Sequence, residues 1–359
     1  MNYKDRVAKD IDRWIDAGFV AAERRAPMLD MIVDPRRLDA ATALAWVGGA
    51  LLGIALVSFV AANWDGMTPI VRFSIIVGGF LMLAAGGAWA AHKKRPVLTN
   101  ILVMLAAIAY ASAVGLTAQI FDLPSDTRAA SYGAGLAAYG LALAGRSTGA
   151  ATVALILIGL GDFAEHRWFV GGDTDTPWML FAAPLGAYLA LRWGSAPLAH
   201  VAALALLYCA TWFAARTHAD AVVFLFIALV LGAAAGGARW LRQRGHQFAG
   251  VFYGWFALGA LIFFAVAGYL PWLGPEGSAN AGMAHRLVWL VASSGLIALG
   301  RLDRHVMATA IGVLSLIGAV VALLADLGLD LLASAGVFLI CALAALVGGL
   351  LLRGRTKPI

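Results

Sequence analysis

From residue 40 to residue 352 the chain repeats one device, an apolar run followed by a short polar turn. An α-helix rises about 1.5 Å per residue, so about 20 apolar residues cross the roughly 30 Å hydrocarbon layer of a bilayer. Such runs lie at 40–62, 70–91, 98–118, 129–145, 149–160, 178–191, 197–215, 221–238, 248–270, 287–300, 306–325 and 331–352. The fifth, sixth and tenth are short. Backbone groups in lipid find no water, so a spanning segment must be a helix or a strand of a closed barrel. The apolar–polar alternation of barrel strands is absent from the sequence. The expected fold class is all-α: a polytopic transmembrane helix bundle of about twelve spans behind a short N-terminal cytosolic helical hairpin.

Charge placement orients the bundle. Only 13% of the residues are charged, about half the share in a soluble domain. The net charge of +6 raises the question of nucleic acid, but the cations sit in short loops on one side, as membrane topology requires. If successive runs cross in opposite directions, Arg72, Arg128, Arg167, Arg216 and Arg286 are the only cations on one side, out of 26 Lys and Arg in the chain. Cytoplasmic loops carry the excess of Lys and Arg. The expected location is therefore the bacterial cytoplasmic (inner) membrane, multi-pass, with both termini cytoplasmic and no nucleic-acid partner. Four parts follow: an amphipathic hairpin at 1–35, a first group of four spans at 40–145, the remaining spans at 146–352, and a cytosolic tail at 353–359.

In the hairpin, Val7, Ile11, Trp14 and Ile15 share one helical face, Gly18 breaks the helix, and a second helix carries Val20, Met28, Leu29 and Ile32. No apolar run occurs in the first 30 residues, so the span at 40–62 serves as an uncleaved insertion signal. Cys209 and Cys341 fall inside apolar runs and read as small apolar residues.

Two polar motifs fall at the outer ends of the first four spans. Ala61-Ala62-Asn63-Trp64-Asp65 closes the first span, and Gly115-Leu116-Thr117-Ala118-Gln119-Ile120-Phe121-Asp122-Leu123-Pro124-Ser125-Asp126 closes the third. With the leader Trp14-Ile15-Asp16-Ala17-Gly18-Phe19-Val20, these stretches resemble the bacterial membrane proteins grouped as domain of unknown function 2157. The resemblance covers roughly residues 10 to 150. It implies a membrane location and brings no activity, substrate or catalytic residue.

Read from the residues, Asn63, Trp64, Asp65, Gln119, Asp122, Asp126 and Arg128 form a candidate outer polar pocket. Polar side chains at span ends need partners, and Arg128 is the natural counter-ion for an acid that turns inward. The competing reading is caps and turns, because Asp and Asn cap helices and Asp-Gly and Pro-Ser-Asp build turns. A second outer cluster is Asp162, Glu165, His166 and Arg167, whose spacing is not a metal signature. His200 reads as a structural histidine near the inner face. Gly49/Gly53, Gly232/Gly236 and Gly250/Gly254 are small-xxx-small pairs that can let helices approach. No internal repeat is evident.

The sequence contains no Walker A, G-x-S-x-G, H-E-x-x-H or C-x-x-C motif. No Asp, Glu, Lys or Arg lies near the middle of a run, which argues against an ion-driven pump. No catalytic, metal or cofactor-binding residue is assigned. The expected function is that of an integral membrane protein that moves or senses a small or lipid-like molecule. Two alternatives are an enzyme acting on a lipid-linked substrate at the outer leaflet, and a scaffold that recruits a cytosolic partner through the hairpin. Membrane lipids are the expected partners.

Overall fold

The computed structural model describes residues 3–31, 66–122, 126–164, 176–217, 220–246, 248–269, 279–327 and residue 336. The chain divides into two compact units, Met1–Arg72 and Phe73–Ile359. The first holds α1 (Tyr3–Asp16), a 3-10 turn (Ala22–Arg24) and α2 (Arg25–Asp30). Gly18, at φ +75°, ends α1 where a side chain would be strained. Arg25 reaches back to Asp12 with two hydrogen bonds, of 2.6 and 3.1 Å, and closes the hairpin. Ile11 is buried, as its helical face predicts, whereas Trp14 and Phe19 are exposed.

The following helices are α3 (Pro69–His92), α4 (Pro96–Ile120), α5 (Thr127–Gly145), α6 (Thr148–Phe163), α7 (Met179–Trp193), α8 (Ala196–Arg216), α9 (Ala221–Gln243), α10 (Ala249–Ala267), α11 (Ala279–Leu302) and α12 (Val306–Asp326). Among the described residues there is no strand. Among the described residues seven helices, α3, α4 and α8 to α12, are long and apolar enough to cross a membrane, and α6 and α7 are shorter apolar helices. The expectation of about twelve full spans is thereby corrected. The 16 residues of α6 reach only about 24 Å, and α5 is diluted by Gly, Ser, Thr and Tyr. The expected runs at 40–62 and 331–352 lie outside the described residues.

The helices pair as hairpins, and the hairpins close in one way. Each first helix ends on a left-handed residue: Lys94, Arg146, Gly194, Gly245 and Arg304, all with φ between 47° and 93°. The next N–H then returns to the carbonyl five residues back. The bonds are Arg95 to Ala90 at 3.0 Å, Ser147 to Ala142 at 3.0 Å, Ser195 to Ala190 at 3.1 Å, His246 to Leu241 at 3.2 Å and His305 to Gly300 at 2.7 Å. This Schellman closure satisfies carbonyls that the helix end would orphan. Lys or Arg fills three of the five left-handed positions, at the helix end whose dipole favours a cation.

Nine residues after each accepting carbonyl stands Thr99, Ala151, Ala199, Gly250 or Thr309. Except at Leu241, where only Gly250 is small, small residues on both sides let the two helices meet directly behind the turn. At Gly300 an added Cβ would lie 2.6 Å from the Thr309 backbone nitrogen, so glycine is required there. The chain therefore repeats a helical hairpin although no repeat shows in its sequence. The shared feature is a backbone closure that Lys-Arg, Arg-Ser, Gly-Ser, Gly-His and Arg-His can all make.

Within hairpins α5 packs on α6, α7 on α8, α9 on α10 and α11 on α12; between hairpins α6 meets α8, α8 meets α10 and α10 meets α12. The buried core along this row is rich in alanine, with Ala150, Ala151, Ala154, Ala183, Ala199, Ala202 and Ala203 all at 0% exposure. Lipid tails are as apolar as leucine, so close backbone approach holds membrane helices together. Large apolar side chains face outward instead, among them Met82, Phe181, Leu229, Val291 and Leu314. Of the glycine pairs, Gly250 and Gly254 are packing positions, whereas a Cβ on Gly232 or Gly236 would meet open space. Gly49 and Gly53 lie outside the described residues.

Candidate functional site

The five Schellman turns define one end of the helical unit, the turn face. The other end is where α4, α6, α8 and α10 finish. Asn63, Trp64 and Asp65 lie outside the described residues. Gln119, in the last turn of α4, is exposed and borders a recess of about 250 Å³ with Thr127 and Ser131. Asp122 follows α4 in the left-handed region, φ 49°, where Asp is better tolerated than most residues. Asp126 caps α5, its carboxylate accepting from the N–H groups of Arg128 (2.9 Å) and Ala129 (3.1 Å).

Arg128 belongs to a different group. Its Nε donates to the Tyr132 hydroxyl at 3.2 Å, and that hydroxyl donates to Asp162 Oδ1 at 2.6 Å. Asp162, at the end of α6, is fully buried. It also accepts from the backbone N–H of Trp178 (3.0 Å) and of Met179 (3.0 Å). Trp178 precedes α7 and has no side-chain cap of its own, so a carboxylate from α6 caps α7. A negative charge at a helix N-terminus is favourable. The Tyr132 and Trp178 rings stack at 4.8 Å, and a Cβ on Gly161 would strike the Tyr132 ring at 2.6 Å.

The structure thus joins Arg128 from one predicted cluster to Asp162 from the other, through Tyr132. Glu165, His166 and Arg167 lie outside the described residues. Tyr132 and Trp178 are absent from the sequence-derived site. The available signal was the position of Gly161-Asp162 at the end of one run and Trp178-Met179 at the start of the next. With three donors aimed at it, the Asp162 carboxylate acts as a clamp between α5, α6 and α7.

A second network lies at the turn face. Arg239 of α9 grips Asp303 through Nε–Oδ2 (2.5 Å) and Nη2–Oδ1 (3.0 Å), and Arg242 donates to the Asp303 carbonyl at 3.0 Å. The guanidinium of Arg239 holds the Asp303 carboxyl below its ordinary pKa. His305 caps α12, its Nδ1 accepting from Ala308 N–H at 3.1 Å, and burial pushes its pKa down. On the same face, Asn100 Oδ1 accepts from Ser147 Oγ (2.9 Å) and Gly149 N–H (3.0 Å), tying α4 to the α5–α6 turn. His200 accepts from Trp255 Nε1 at 2.9 Å, a structural role of the kind its position predicts.

Between α7, α8, α9 and α10 lies a crevice of about 430 Å³. Its walls include Pro184, Ala187, Leu206, Gly237, Phe252 and Phe256, and among the described residues none of its lining side chains is charged. Pro184 sits inside α7, where it lacks an N–H and frees the carbonyl four residues back.

Residues 12–151 match the family model described as predicted membrane protein, DUF2157. The DUF2157 segment runs from within α1 to the first turn of α6 and contains both outer motifs and Arg128. Asp162, Trp178 and the crevice lie beyond it. No curated protein and no solved structure matches the chain. Family description and helix composition agree that this is a multi-pass membrane protein.

Proposed function

We propose that this membrane protein holds a lipid-like molecule between its third and fourth hairpins, and moves or senses it without chemical change. The supporting observation is the crevice between α7 and α10. Its volume of about 430 Å³ falls within the ~300–1,000 Å³ of pockets that hold small ligands. Small residues at Ala187, Ala234, Gly237 and Ala238 open the space, and Phe252 and Phe256 wall it. An acyl or isoprenoid chain makes no hydrogen-bond demand, so an apolar lining suits it. The Lys- and Arg-bearing turn face is the cytoplasmic side by the positive-inside rule, in the bacterial inner membrane.

Two experiments test this. Mass spectrometry of the protein purified in mild detergent should find a retained lipid, and Gly237→Leu with Ala187→Leu should remove it. Equal retention by the filled variant excludes the crevice. A periplasm-active phosphatase fused after Arg216 should be active and one fused after Arg244 inactive; the reverse pattern inverts the orientation.

A further inference from the structure

A second recess, of about 370 Å³, opens at the turn face between the end of α5 and the end of α7. Its lining is Leu143, Arg146, Tyr188, Leu189, Arg192 and Trp193. Among the described residues two arginines face it and no carboxylate does. Asp303, the acid of the turn-face network, is already held by Arg239. Arg192 is held upright by its own helix: Nη1 donates to the Tyr188 hydroxyl at 2.6 Å, and the guanidinium lies 5.8 Å from that ring. Arg146 occupies the left-handed turn position, φ 47°, and is exposed. Below the arginines the walls turn apolar, and Leu143 and Tyr188 are about half exposed toward the outside of the bundle.

We propose that this recess binds the phosphate of an anionic phospholipid, with an acyl chain running down past Leu143 and Leu189. Three features of the recess select that occupant over a soluble anion. Guanidinium groups match phosphate oxygens in geometry and charge. Tyr and Trp favour headgroup depth, and Tyr188 and Trp193 lie in the last two turns of α7. The apolar lower wall opens sideways, where a lipid tail lies and a free phosphate gains nothing. Basic recesses between helices on the cytoplasmic side are where acidic headgroups collect. The site lies on the far side of α7 from the crevice and does not depend on the crevice being occupied.

The test uses the full chain in nanodiscs of phosphatidylcholine containing dibrominated phosphatidylglycerol, with tryptophan quenching as the readout. Quenching should include a component absent from Trp193→Phe, and that component should be weaker with dibrominated phosphatidylcholine. An arginine near the membrane surface contributes about fivefold in anionic-lipid affinity. Arg146→Gln or Arg192→Gln should therefore weaken the phosphatidylglycerol titration about fivefold, and the double variant about thirtyfold. The corresponding lysine variants should recover most of the loss. Both arginines are exposed and Trp193 is partly buried, and elution of each variant as a single species on gel filtration verifies folding. Equal quenching by the two lipids, or an unchanged titration in the double Gln variant, overturns the proposal. Full displacement of the brominated lipid by inorganic phosphate overturns the lipid assignment. Failure of the crevice variants leaves this site standing.

Discussion

Removing the Asp162 carboxylate is the sharpest test of how the helices are held. In Asp162→Ala three donors lose their acceptor: the Tyr132 hydroxyl at 2.6 Å and the N–H groups of Trp178 and Met179 at 3.0 Å each. Hydrogen bonds to a charged group contribute ~1.5–3 kcal/mol each in water-soluble proteins. Measured side-chain bonds between membrane helices average only ~0.6 kcal/mol, because the unfolded chain in lipid also finds partners. These values bracket the loss between about 2 and 9 kcal/mol. Two of the donors are at a helix N-terminus beside a partly exposed Trp178, where water can replace the carboxylate, so we expect about 3 kcal/mol. Tyr132→Phe removes one of the three bonds and should cost about 1 kcal/mol. In the Asp162→Ala background the same change should cost less, since the hydroxyl has already lost its acceptor and only the bond it accepts from Arg128 Nε remains to be removed. The assay is reversible unfolding in mixed micelles at rising SDS fraction, following the double-mutant cycle. A loss below about 1 kcal/mol for Asp162→Ala, or costs that simply add, would refute the clamp.

Two further outcomes follow from the turn face and the glycines. His305 caps α12 through an unprotonated Nδ1, and burial lowers its folded pKa. A depressed folded pKa adds stability that is present above the ordinary value and lost as pH falls. The melting temperature in detergent should therefore drop as pH goes from about 7 to about 5, and His305→Asn, which caps at any pH, should flatten that drop. An equally steep drop in the Asn variant would show that another group titrates. Gly254→Leu places a side chain where even a Cβ would sit 2.5 Å from Met307 Sδ and should cost about 1–3 kcal/mol. Gly236→Leu meets open space and should leave the unfolding midpoint unchanged or raised, and equal damage at the two sites would contradict the packing.

The amino-acid sequence by itself determined the solvent. Long apolar runs cannot be left in water, and the backbone in lipid must bond to itself, so helices in a membrane follow without any contact being known. The sequence also placed the turns, because Lys, Arg, Ser and His break the runs where lipid ends. Asp126 was legible as a cap because capping is local and reaches only two or three residues. The number of full spans was not legible. Run length alone does not separate the long apolar helices from α6 and α7, which are shorter at 16 and 15 residues.

Only the tertiary structure decided which polar groups meet. Arg128, Tyr132, Asp162 and Trp178 are scattered over 50 residues of sequence and converge because α5, α6 and α7 pack side by side. Likewise only the fold revealed the repeated hairpin. Its identity resides in a backbone closure and a small residue nine positions after the accepting carbonyl, and many side chains satisfy both. Which glycine pair forms a seam was decided by the facing helix: Met307 stands opposite Gly254, and among the described residues nothing lies within 4 Å of a Cβ on Gly236. A sequence carries the capacity for close approach; the partner that makes use of it comes from elsewhere in the chain.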